Sequence, residues 1–453
     1  MPINPWKVIK KYCNTNKTES DNNKIFSKIF LIALITLFVK CLAILKEMIT
    51  AWQFGAGNEL DAFFIALLIP SFAVSVIAGS FNSALIPVYI EVRNKQGLEA
   101  AKKLVSEVLC LAIGFLCFLI ILILLSSHWY LPLLAQGFNF QKLQLTYALL
   151  CLIIPIIVFQ GIITILGAVL NAGQKFALVA LLPTVTSAVT IIFLFIFDSW
   201  GIYALGIGLV VGKAIELIVL SLVCHQRKFQ LVPKWTGYNQ NLRAVINQYT
   251  PMVAGAFVMS STSVVDQSMA AMLPSGSVAM LNYGSRLVAF PLQLGSIAIG
   301  TAILPYFSSM VANTKWQEIK NIFNRSRNLI LLVTIPVVFV LMFFSELLVS
   351  LLLDRGAFTQ ENVQVVAEIQ AFYALQIPSY LLGILVVRLI SAFKANQILM
   401  KGAIYNLFLN ILFNYIFMEY MGVSGIALST SCVYFISVCY SYLKIKQQTK
   451  IQI

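Results

Sequence analysis

HQRKFQLVPKWTGYNQNL, residues 225–242, is the longest polar interruption past the first hundred residues of this 453-residue chain. Long apolar stretches flank it on both sides. A membrane crossing takes about 20 apolar residues, and longer runs tilt or project beyond the bilayer. By that measure the stretches before the interruption read as spans at roughly 25–54, 60–92, 99–127, 141–172, 176–198 and 201–225. Those after it read as spans at 241–270, 277–311, 317–352, 361–394, 398–418 and 422–444. The expected fold is an all-α polytopic membrane protein of about 12 transmembrane helices, arranged as two parallel six-helix bundles around a central cavity.

The basic residues orient these spans. Of 31 Lys and Arg, 24 fall in every second gap or in the span ends beside it, only Lys142 and Arg355 fall in or beside the alternate gaps, and five (Lys40, Lys46, Lys213, Arg286 and Arg388) lie deeper within the spans. Short basic loops are poorly translocated, so the charged gaps are assigned to the cytoplasm and both termini with them. The domain reading is a cytoplasmic arm (1–24), a first bundle (25–225), a cytoplasmic linker (226–241), a second bundle (242–444) and a cytoplasmic tail (445–453). Trp6, Val8 and Ile9 of the arm are placed on the membrane surface. No cleavable leader is expected, because the first 24 residues are polar and basic without a cleavage-site pattern.

Composition supports a lipid-solvated chain: 60% of residues are hydrophobic, 11% are charged and the mean hydropathy is +0.88. The net charge of +14 is spread over all the basic gaps, which argues against a nucleic-acid surface. The eight cysteines form no CxxC pair or ligand cluster and read as small core residues. His128 and His225 fall at opposite membrane faces, so they cannot share a metal or a catalytic step. No GxxxxGK[ST] phosphate loop is present, which leaves an ion gradient or the membrane potential as the energy source.

The two halves share an ordered set of features. Pro155 precedes Ala172 of LNAGQKF by 17 residues, and Pro378 precedes Ala395 of FKANQIL by the same distance. ALIP (84–87) and AILP (302–305) end the second and eighth spans, and small-residue turns at Gly201 and Gly422 open the last span of each half. An even number of crossings per half relates the copies by an axis along the membrane normal, the arrangement of an alternating-access transporter.

A charge at mid-membrane costs about 2.5 to 3.5 kcal/mol on insertion scales, so those that persist face a cavity or a partner. Lys213 and Glu216, three residues apart on one helix face, are expected to neutralise each other. Lys40 and Glu47 share a face of the first span and allow the same reading. Lys46 is turned about 120° away with no near partner in its own helix, which makes it the better cavity residue. Arg286 lies deep in LNYGSRLVAFP with no acid within four residues, and its planar fork suits phosphate oxygens. Arg388, near a cytoplasmic end, can snorkel. Asp61 and Asp266 are open to three readings: carrying a proton, coordinating sodium, or holding a cavity Lys or Arg. With basic groups in excess, the cavity is expected to select an anionic cargo.

FGAGNELDAFFIALLIP (54–70) resembles the MurJ (MviN) family of lipid II flippases, within the multidrug, oligosaccharidyl-lipid and polysaccharide exporter superfamily. The likeness continues through ALIP (84–87), LNAGQKF (170–176), GSVAMLNYGSRLVAFPLQLGSIAIGTAILP (276–305) and RGAFT (355–359). The resemblance implies a non-enzymatic flippase in the bacterial cytoplasmic membrane. Its cargo would be an undecaprenyl-pyrophosphate-linked saccharide, lipid II or a related cell-envelope precursor, moved to the outer leaflet. It further implies that Lys40, Lys46 and Arg286 grip the pyrophosphate and that Asp61 matters for activity. From the intramembrane charges themselves, Asp61 and Asp266 are the candidates for gating or ion coupling (Na+ or H+), with Glu47 and Arg388 secondary. A monomer is expected, in contact with membrane lipids and with no cofactor.

Departures from the family pattern are specific. Lys replaces Arg at both first-span positions, losing the bidentate fork. Val74 and Ser75 stand where the resemblance implies a basic doublet, and no acidic residue occurs in IAGSFNSA (77–84). The reading also ends two helices short of the peptidoglycan flippases. Within the same cargo class, an exopolysaccharide or O-antigen precursor is the alternative to lipid II. A cation-coupled multidrug exporter would need an acidic cavity, and a membrane transferase would need a clustered catalytic site.

Overall fold

The computed structural model describes residues 19–172, 176–226, 235, 237–393 and 395–449. Most of the expected arm (1–24), most of the linker (226–241), the end of the tail (445–453) and Lys175 and Lys394 lie outside the described residues.

Apolar runs this long have no water to satisfy their peptide groups, so the backbone bonds itself within helices. The first half comprises α1 (Glu19–Phe54), α2 (Asn58–Ala73), α3 (Gly79–Gln96), α4 (Leu98–Leu134), α5 (Phe140–Ile153), α6 (Ile156–Ala172), α7 (Phe176–Leu181), α8 (Pro183–Ile196) and α9 (Ile202–Gln226). The second comprises α10 (Gln240–Ala270), α11 (Ser277–Ala312), α12 (Trp316–Phe343), α13 (Ser345–Leu353), α14 (Gln360–Ala374), α15 (Gln376–Ala392), α16 (Gln397–Met421) and α17 (Val423–Thr449). Eight described segments are long and apolar enough to cross a membrane. The helices bearing Lys46, Asp266 and Arg286 are additional to these.

Several expected spans are broken rods. The run expected at 141–172 is interrupted between α5 and α6, where Pro155 offers no N–H to the turn before it. The run expected at 361–394 breaks between α14 and α15, three residues ahead of Pro378. In the second expected span, a π-helical turn at Val74–Ala78 separates α2 from α3. Such single π turns widen a helix locally and frequently mark functional sites.

The halves repeat in packing as well as in sequence. In the first, α2 packs on α5, α6 on α9, and α8 on α9; in the second, α11 packs on α14, α15 on α17, and α16 on α17. Gly201 and Gly422, which open the last helix of each half, have φ of +54° and +57°. Two seams join the halves. Along one, α3 and α4 lie against α10, with Asn239 Nδ2 donating to Glu107 Oε2 at 2.7 Å and Asn241 Nδ2 to Gln96 Oε1 at 2.8 Å. Along the other, α2 lies against α10 and α11, and Glu47 of α1 faces Arg286 of α11.

Candidate functional site

The loops poor in Lys and Arg, which hold only Arg355 and, at their edge, Lys142, gather at one end of the molecule and close it. There Ala357 N–H donates to Trp52 O at 2.8 Å. Gly276, at φ +92°, leaves no room for a side chain, because a Cβ would stand 2.3 Å from Ala56 O. One buried core runs through this end from Leu60, Phe63 and Leu149 into Ala270, Val278 and Tyr283 of the second half.

Asp61 is the electrostatic centre of that closure. Its Oδ2 accepts from Lys142 Nζ at 2.8 Å and from Gly276 N–H at 2.7 Å, and its Oδ1 accepts from Ala279 N–H at 2.8 Å. The carboxylate therefore caps α11, where the helix dipole favours negative charge, and pairs with a lysine of α5. Lys142 Nζ also lies 3.9 Å from the Phe138 ring centre. Asp61 and Lys142 are both buried. The sequence placed Lys142 in an outer gap and gave it no task. Its signal was being one of two basic residues where lysine is otherwise missing.

Beneath the closure lies a cleft of about 240 Å³ between α2, α10 and α11, lined by Leu68, Ser71, Ser75, Ser263, Gln267 and Arg286 among others. Ser75 belongs to the π turn, so the position where the resemblance implies a basic residue does border the cleft with a short hydroxyl instead.

Arg286 and Lys46 are brought together by an acid. Lys46 Nζ lies 3.0 Å from Glu47 Oε1, and Arg286 Nε lies 3.9 Å from the same oxygen. This corrects two expectations. Lys46 does have a partner in its own helix, because a long side chain reaches back to its neighbour across the 100° offset. Glu47 serves Lys46 and Arg286 and forms no described ion pair with Lys40. Arg286 likewise meets an acid, contributed by a distant helix and hence invisible in local spacing. Its side chain is 52% exposed, against 15% for Glu47, so the cation keeps an open face toward the cleft. Lys40 lies six residues before Lys46 on α1.

Asp266 sits elsewhere on the same path. Its Oδ1 accepts from Asn410 Nδ2 at 2.9 Å and Asn414 Nδ2 at 2.7 Å, and its Oδ2 from Thr430 Oγ1 at 3.3 Å. Asp266 and Arg286 line a common cavity of about 360 Å³. That cavity leads to a pocket of about 340 Å³ within the second half, bordered by Gln376, Asn406 and Tyr434. Asn410 and Asn414 were not anticipated; both carry buried Oδ1 atoms without a partner among the described residues. No cluster of three or more His, Cys, Asp or Glu occurs among the described residues.

The remaining charges stay apart. Lys213 and Glu216 pair at 2.7 Å, with Thr186 also donating to Glu216 at 2.7 Å. Arg388, on α15, does not line the cleft, and its Nε is buried without a partner among the described residues.

A family profile described as lipid II flippase MurJ matches residues 50–453. The chain belongs to the MurJ family. MurJ relatives align along nearly all of it: a probable lipid II flippase MurJ of Buchnera aphidicola subsp. Schizaphis graminum is 27% identical, covering 94% of this chain and 84% of that one. The lipid II flippase MurJ of Burkholderia cenocepacia is 26% identical, covering 89% and 80%. A solved MurJ in an inward closed conformation superposes with a TM-score of 0.79 at 25% identity over 92% of this chain and 87% of that one. An inward-facing multidrug transporter of the MATE family shares the fold at a TM-score of 0.75 and 14% identity, covering 93% and 100%. As a MurJ-family chain this is a multi-pass transporter of the bacterial inner membrane, not an enzyme, and it works on a lipid-linked substrate.

Proposed function

We propose that this chain flips lipid II, an undecaprenyl-pyrophosphate-linked saccharide, from the inner to the outer leaflet by alternating access, with both termini in the cytoplasm and one chain forming the whole pathway. The observation that carries the reading is the Arg286–Glu47–Lys46 cluster at a cleft whose opposite end is shut by the Asp61–Lys142 pair. Lys40, Lys46 and Arg286 bind the pyrophosphate, and the phosphate oxygens displace Glu47 as the counter-ion. The planar guanidinium supplies paired donors and the ammonium groups supply point charges. Asp61 gates the outer end: opening it separates a carboxylate from two backbone donors and a lysine. The cleft's serines and amides leave the sugar portion hydrated or hydrogen-bonded, while the lipid tail stays in an apolar medium.

Energy enters at Asp266. With Asn410, Asn414 and Thr430 it would hold a sodium ion, which would supply local positive charge beside the Arg286 cavity. The two buried, unpartnered amide oxygens favour sodium over a proton, since oxygen ligands suit a hard cation and a proton on Asp266 would leave both unpaired. Arg388 and the membrane potential take no part in this reading.

The test is rescue of a bacterium depleted of its resident lipid II flippase. The unmutated chain is expected to restore growth and surface-exposed lipid II, and the Arg286→Ala chain, at equal membrane level, to restore neither. Rescue by Arg286→Ala would overturn the site. Failure of both forms would redirect the cargo to another polyprenyl-linked saccharide.

A further inference from the structure

We infer that the polyprenyl tail of the cargo is held, while the pyrophosphate sits at Arg286, in an apolar crevice where α3, α4 and α10 meet; this inference rests on the function proposed above. The crevice has a volume of about 220 Å³ and is lined by Phe81 of α3, Val108 and Phe115 of α4, and Leu242, Val245 and Tyr249 of α10. No ionisable group other than the Tyr249 phenol borders it. Leu242 and Val245 are buried at its floor, whereas Phe115 is 47% exposed on the outer surface of α4, so the crevice opens toward the acyl chains of the bilayer.

Its position ties it to the cleft. Both are built on the same seam, formed by the rod from α2 to α3 on one side and α10 on the other. Ser75 lines the cleft and Phe81 lines the crevice, six residues apart and about 9 Å along the helix axis. Aromatic rings cross the seam at each site: Phe72 of the cleft meets Phe257 edge-on at 5.3 Å, and Phe81 of the crevice stacks on Tyr249 at 4.2 Å. The crevice lies in the half of the membrane toward Arg93 and Lys95, the side from which the cargo loads.

Energetics select the occupant. Each Å² of apolar surface left in water costs about 25 cal/mol, so a long isoprenoid chain attached to a bound pyrophosphate needs apolar cover close to the phosphates. The flank between α1 and α11 carries Lys46, Glu47 and Arg286, and seating the chain there would strip water from those charges. The α3/α10 seam offers apolar cover without that cost.

The experiment uses the full chain in phosphatidylethanolamine and phosphatidylglycerol vesicles, with a diazirine-bearing undecaprenyl pyrophosphate and the short geranyl pyrophosphate as probes. On the unmutated chain the photolabel is expected on peptides of α3, α4 and α10. Val245→Trp, or Val108→Phe from the opposite wall, fills the crevice and is expected to weaken capture of the undecaprenyl probe by about tenfold, leaving geranyl pyrophosphate within about twofold. Label elsewhere with undiminished capture by the filled variants would overturn the crevice and leave the proposed function standing. Equal labelling by a diazirine phosphatidylethanolamine would show that bulk acyl chains occupy it, and would overturn the assignment to the cargo. Capture of neither pyrophosphate by the unmutated chain would overturn the proposed function itself, and this inference with it.

Discussion

Glu47 of α1 and Arg286 of α11 face each other across the gap between the two halves, Oε1 to Nε at 3.9 Å. They belong to different halves of the chain, 239 residues apart (286 − 47), and the acid also holds Lys46. A carboxylate between two cations stops them repelling each other; in the function proposed above it stands in for the anionic cargo and yields when phosphate arrives.

Arg286→Lys keeps the charge and removes the fork. A charge-assisted hydrogen bond contributes about 1.5 to 3 kcal/mol, so this substitution is expected to weaken pyrophosphate-lipid binding by about tenfold or more while the protein stays folded. Titration of undecaprenyl pyrophosphate into reconstituted protein measures it; unchanged affinity would show that the fork is not used.

Glu47→Gln removes the competitor for the two cations and preserves shape. Binding of undecaprenyl pyrophosphate should tighten, and turnover should fall because release becomes slower. Parallel binding and flipping assays on one preparation separate the two effects, and a simultaneous loss of both would mean that Glu47 is needed to position Lys46.

Lys142→Ala leaves the Asp61 carboxylate buried with only its two backbone donors. Breaking a buried pair from one side costs about 3 to 5 kcal/mol, and that cost falls on the state closed at this end. In a cysteine-free background carrying Ser71→Cys in the cleft, an impermeant thiol reagent added outside should label Lys142→Ala faster than the parent. Equal rates would remove Lys142 from the latch.

Gly276→Ala places a methyl 2.3 Å from Ala56 O at a residue with φ +92°. Left-handed strain of about 1 kcal/mol or more adds to the collision, so thermal unfolding should begin at a clearly lower temperature. A melting temperature equal to that of the parent would show that the outer closure is looser than its geometry.

Asp266→Asn should abolish any stimulation of flipping by an imposed sodium gradient while leaving pyrophosphate binding at Arg286 intact. Flipping that remains sodium-stimulated in this variant would place the coupling ion elsewhere.

The membrane class, the two-half organisation and the duplicated turns at Gly201 and Gly422 were legible in the chain, because hydropathy, basic-loop bias and backbone breakers act within a few residues of where they occur. Arg286 and Asp266 were legible as charges lipid does not tolerate. Their relation was not: Arg286 read as unpaired until α1 was laid opposite α11, Asp61 acquired Lys142 and the N-terminus of α11 only when 81 and 215 residues of intervening chain were folded back, and Asn410 and Asn414 gave no signal until they converged on Asp266. Charge–charge and hydrogen-bond energies depend on distance through space, and spacing along one helix reports that distance only for neighbours within about a turn. The residues able to bind an anion were therefore written in the sequence, whereas which acid restrains them, and which end of the pathway is shut, were decided by the packing of one half against the other.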